Sequence, residues 1–243
     1  MSQDLIIGER EYEFFEGDTL IDSLETCERA GYSPLFLPEF AALKIVYPAL
    51  FQDWGRSMSI YASGRTSSGS EVDIYVHVPG EWSEMGYILN AISEKKLING
   101  ALPLTQKSFD ALEKRNGETK DGIRLVTVMD YARMNSGKSG EPRLDKVLPD
   151  VQAFLGGEEQ AEAYYQAHRK VYGNKMQFYY NNYNNDHSTV PVAHPLMLDF
   201  MTLFSYVRFE ENNRVPGVKV SITNLSAKDA QPKSLERIML EVE

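Results

Sequence analysis

Two neighbouring stretches with strict two-residue alternation constrain this fold most. Ser57–Ala62 and Val72–Val78 both read as strands. In the second, Val72, Ile74, Val76 and Val78 line one face, while Asp73, Tyr75 and His77 line the other. The polar stretch Ser63–Ser70 between them is rich in Gly and Ser and reads as a flexible connector, so the pair forms a hairpin. Alternation of this kind argues against a parallel sheet buried on both faces and predicts one face open to solvent.

Around this pair the pattern is mixed. Asp18 can cap a helix over about 19–30, with Leu20, Ile21, Leu24 and Cys27 on its apolar face and Gly31 stopping it. Pro38 begins a second helix, with Phe40, Leu43 and Val46 inward, and Pro48 ends it. Further helices are expected over about 82–94, from a cap at Thr105 to Asn116-Gly117, in a short piece ended by Gly156-Gly157, and over 158–171 before Gly173. Ile123–Met129 reads as a strand, and Met176–Tyr180 as extended. Pro149 should stop any helix before it, and Pro195 should open a helix-like segment. Strand character at 205–210 should pair with 218–224 across Asn212-Asn213. Strands in hairpins with scattered amphipathic helices define an α+β chain with an antiparallel or mixed sheet. It is read as one domain over 1–243, with 136–142 as the place where a boundary would fall.

The chain has 243 residues, 42% hydrophobic and 25% charged, an ordinary globular composition. A net charge of −10 disfavours nucleic acid and anionic membranes as partners. The single cysteine, Cys27, excludes a disulfide framework and a Cys-rich zinc site. With no secretory leader at the start and no long apolar run, the expectation is a soluble cytoplasmic protein.

Three stretches could carry chemistry. Ala132-Arg-Met-Asn-Ser-Gly-Lys-Ser139 follows a strand and fits a phosphate-binding loop with Ala replacing the first Gly; Gly137, Lys138 and Ser139 would hold the phosphates and Mg²⁺. Its interior lacks glycine, and Gly140 and Pro142 stand where a helix should start, so a polar surface loop is the plainer expectation. Glu71 and Asp73 fall on one strand face and, with Asp130, could share Mg²⁺. Over a short span this pattern resembles the nucleotidyltransferases of the polymerase-β type, although Ser63-Gly64 reverses their order. The alternative is a solvated sheet face carrying acidic residues. Third, Tyr179-Tyr-Asn-Asn-Tyr-Asn-Asn-Asp-His187 combines flat aromatic area with adaptable amides, as recognition surfaces do. Tyr179, Tyr183, Asn184 and His187 are its candidate contacts. The reading adopted is a module without a cofactor that binds a protein or small-molecule partner through 179–187. The competing reading is a Mg²⁺-dependent enzyme acting on phosphates or nucleotides.

Overall fold

The computed structural model describes residues 5–7, 10–130, 147–179, 190–199, 202–204, 208–209 and 213–220. In chain order the first half holds β1 (Leu5–Ile7), β2 (Arg10–Gly17), α1 (Leu20–Arg29), β3 (Ser33–Pro34), α2 (Leu37–Val46), β4 (Gly55–Arg65), β5 (Glu71–Val76) and α3 (Met85–Ser93). Then come β6 (Leu102–Pro103), α4 (Gln106–Lys114), β7 (Thr119–Lys120), β8 (Ile123–Arg124) and β9 (Val126–Asp130). The remainder holds α5 (Pro149–Leu155), α6 (Glu158–Tyr172), β10 (Gln177–Tyr179), β11 (Val192–Leu198), β12 (Thr202–Phe204) and β13 (Asn213–Val220). The architecture is α+β, with antiparallel and mixed sheets and packed helices.

Local signals set the helices. Thr19, not Asp18, caps α1: its hydroxyl accepts the Asp22 N–H at 3.2 Å, while Asp22 Oδ2 accepts the Thr19 N–H at 2.9 Å. The reciprocal pair requires a carboxylate three residues after the cap, which Thr19 has. The expected face, Leu20, Ile21, Leu24 and Cys27, is buried. Thr105 caps α4 as expected, accepting the Ser108 N–H at 3.1 Å. Pro149 starts α5 instead of stopping a helix: at the first helical position its missing N–H costs nothing.

Strand β13 pairs with β2 and, over Gly217 and Val218, with β3; most of 205–210, its expected partner, lies outside the described residues. β13 runs antiparallel to β2, with Arg10 opposite Val220 and Gly17 opposite Asn213. With β1 and β3 these strands make a four-stranded sheet in the order β1-β2-β13-β3. Helix α1 packs on it, and Gly217 is one of the points where they approach closely. A Cβ there would stand 2.7 Å from Cys27 Sγ and 2.9 Å from the Phe15 ring. Gly217→Ala should therefore destabilise by about 1–3 kcal/mol through overpacking, read from urea unfolding midpoints. Burial also pushes the Cys27 thiol up to about 12, so it is an inert core thiol.

The larger sheet runs β10-β12-β11-β4-β5-β9, with β10 and β12 parallel. Hairpin β4–β5 lies at its centre, Ala62 opposite Ile74. Proline in strand β11 replaces the helix expected from Pro195: the register shifts between Pro195 and Met197, and such a bulge tolerates a missing N–H. Contrary to the alternation argument, neither central face is open. Ile60, Ile74 and Val76 pack with Leu20, Ile88 and Phe109 on one side. Tyr61 and Tyr75 pack with Phe40, Phe154 and Tyr164 on the other. Helices α2, α5 and α6 cover that second face, so its polar residues are buried as well. Among the described residues no helix is long and apolar enough to cross a membrane.

Candidate functional site

The phosphate-loop residues Gly137, Lys138 and Ser139 lie outside the described residues, as do Tyr183, Asn184 and His187. Their points of departure are described. The first stretch follows β9, which ends at Asp130; the second follows β10, which ends at Tyr179 opposite Phe204. These strands stand at the two ends of the strand order in the larger sheet. The Tyr/Asn stretch returns through Val192, the first residue of β11, so both its ends are held in one sheet.

The three carboxylates have different surroundings. Glu71 is half-buried and pairs with Arg65 across the β4–β5 hairpin. Asp130 is exposed. Asp73 is 0% exposed, opposite Ser63 on β4 and Met129 on β9, which corrects the expectation of a solvated face. Burial raises its pKa to about 6; the nearby hydroxyls of Tyr61 and Ser63 oppose the rise, and the charges of Asp150 and Asp130 add to it. Those hydroxyls approach, but neither carboxylate oxygen has a hydrogen bond of good geometry. Among the described residues no group of three His, Cys, Asp or Glu side chains is placed to hold a metal ion.

The described histidines are buried. His77 Nε2 lies 2.9 Å from the Ala153 carbonyl, which can only accept, so this nitrogen carries the proton. Nδ1 then accepts from the Ser59 hydroxyl at 2.9 Å, while Ser59 Oγ accepts the Leu37 N–H at 2.8 Å. These bonds tie the residue after β5 to β4, α2 and α5, and burial lowers the His77 pKa to about 4. His168, on α6, packs edge-on to Phe51 and stacks on Tyr164. His194 is buried in β11.

Sequence reasoning missed a cleft of about 280 Å³. Leu35, in the connection between β3 and α2, and Pro38, Ala42 and Leu43 of α2 form one wall; Val78 and Pro79 form another; Ile123 and Leu125 close it. Four charged side chains line it as well: Arg10 on β2, Glu39 on α2, and Lys120 and Asp121 on the β7–β8 hairpin. Glu39 Oε2 accepts the Phe36 N–H at 3.0 Å. No local motif announces the cleft, because its lining comes from four separate stretches. The one local signal is Asp121-Gly122 between two short strands, which marks a tight hairpin, with both residues at positive φ.

No family model matches the sequence, and no curated protein is significantly similar to it. A solved structure does match. It is described as the accommodation of massive sequence variation in Nanoarchaeota by the C-type lectin fold. It is 28% identical, with a TM-score of 0.75, and the match covers 88% of this chain and 100% of that one. The fold of this chain is thus similar to the C-type lectin fold, an architecture that serves as a ligand-binding module.

Proposed function

We propose that the chain is a binding module that recognises a protein or small-molecule partner through the Tyr/Asn-rich segment 179–187. The observation carrying this reading is the segment's composition and placement. Aromatic rings with two rotatable angles give contact area at low entropic cost, and asparagine amides adapt as donors and acceptors. The segment leaves from β10 and returns at β11, two strands of the larger sheet. A rigid frame holding a polar, variable-tolerant segment is a common arrangement for recognition. The similar protein is described as accommodating massive sequence variation, which supports extending the same tolerance to this segment.

The test has two parts. Tyr183→Ala, Asn184→Ala and His187→Ala should each change unfolding free energy by less than about 0.5 kcal/mol. A display library randomised at these three positions should stay folded in most members and yield binders to an immobilised protein target that the parent ignores. A loss of several kcal/mol for Tyr183→Ala, or a library that is largely unfolded, would make the segment core packing and end this reading.

A further inference from the structure

We propose that the cleft between α2 and the β7–β8 hairpin is a second binding site, for a small zwitterion with an apolar body such as a free aliphatic or aromatic amino acid. Its lining residues come from other stretches than 179–187, and it does not depend on the reading given to that segment.

Three observations lead to this ligand. The first is size: a cleft of about 280 Å³ has ample room for one amino acid. The second is the wall. Leu35, Pro38, Ala42, Leu43, Ile123 and Leu125 offer apolar surface where a hydrocarbon side chain displaces water favourably. His77 lines the same space, but both its ring nitrogens are already bonded, so it contributes a ring face and no free donor. The third is charge. Two cations, Arg10 and Lys120, and two anions, Glu39 and Asp121, line one small space. Glu39 is solvent-exposed at the cleft and lies within the fields of both Arg10 and Lys120, which favour its charged form. No ion pair within 4 Å joins these four to one another.

A lone anion would leave Glu39 and Asp121 facing it with repulsion, and a lone cation would do the same with Arg10 and Lys120. A molecule with a carboxylate and an ammonium on one carbon matches both signs. Its carboxylate faces the Arg10 guanidinium and the Lys120 ammonium. Its ammonium donates to Glu39 Oε1, since Oε2 is held by the Phe36 N–H, and to Asp121. The side chain enters between α2 and Ile123.

The experiment is isothermal titration of the full chain with L-phenylalanine and L-leucine, against N-acetyl-phenylalanine, phenylalanine amide and glycine. The two zwitterions should bind. Removing the ammonium, the carboxylate or the apolar body should each weaken binding by about tenfold or more, the scale of one lost charged hydrogen bond. Glu39→Gln keeps an oxygen for the Phe36 N–H, so α2 retains its cap. In this variant the preference for phenylalanine over its N-acetyl form should collapse. Lys120→Gln, at an exposed position, should reduce the preference for phenylalanine over its amide. No binding of either zwitterion at millimolar concentration would overturn the proposal. So would binding of N-acetyl-phenylalanine and phenylalanine amide equal to that of phenylalanine, or preferences unchanged in both variants.

Discussion

Asp73→Asn is expected to stabilise the folded chain by about 3 kcal/mol at pH 8. Asp73 is wholly buried, and its carboxyl titrates at about 6 in place of the ordinary 3.8. Between those values the folded chain holds a proton that the unfolded chain has released. Stability therefore falls as pH rises through the window, by about 3 kcal/mol in all. Asparagine keeps the shape and removes the charge. His77 has the opposite sign. The folded chain keeps it neutral down to about 4, while the unfolded chain protonates it below the ordinary 6.5. Stability from His77 is thus lost as pH falls through that window, again by about 3 kcal/mol. The two slopes oppose each other from pH 6 to pH 4 and nearly cancel in the parent. Asp73→Asn exposes the His77 slope. Urea unfolding at pH 4, 5, 6, 7 and 8 should show the variant far more stable at pH 8 and close to the parent at pH 4. A variant less stable than the parent at pH 8 would mean that the Tyr61 and Ser63 hydroxyls stabilise the charged form more than burial opposes it.

Why Asp73 escaped sequence reading shows where such reading ends. Alternation places Asp73, Tyr75 and His77 together, but the pattern is the same whether water or helices cover that face. The cover comes from α2, α5 and α6, distant in sequence, and their arrival is a tertiary fact. Helices α4 and α6 were legible because their signals are local: a Thr cap, an apolar stripe, a closing glycine. The β2–β13 pairing was not, since nothing within a short window links Arg10–Gly17 to Asn213–Val220. A nearer apolar run offered itself as a partner instead. Pro195 misled for a related reason. Its helix-opening preference is intrinsic, while the bulge that admits it to β11 depends on β4 alongside. The proposed binding segment stands out by composition alone. The cleft was not legible, because its four charges span Arg10 to Asp121 and meet only in the folded chain.

Lys44 is the second buried charge that should dominate a measurable property. It sits on the inner side of α2 at 0% exposure, its ammonium donating to the Asp53 carbonyl at 2.5 Å and lying 4.9 Å above the Phe40 ring. Burial lowers its pKa from 10.5 to about 7; the Asp53 and Asp199 carboxylates resist this, and Arg214 assists it. Arg214 also bonds Asp53 Oδ1 at 2.7 Å, so the carboxylate nearest Lys44 is already shared. Above pH 7 the folded chain loses this proton while the unfolded chain keeps it to 10.5, so stability rises with pH across that interval. Between pH 7 and pH 8.5 the gain should be about 2 kcal/mol. That range stops short of 9.0, where the unfolded Cys27 thiol is half ionised and its slope of opposite sign becomes appreciable. Lys44→Met preserves the length and apolar stem of the side chain and removes the titration. Its stability should be flat from pH 7 to 8.5, whatever the fixed cost of leaving the Asp53 carbonyl without its donor. A variant that keeps the parent's rise would show that Lys44 stays charged in the folded chain, and that the Asp53, Phe40 and Phe51 contacts fully offset its burial.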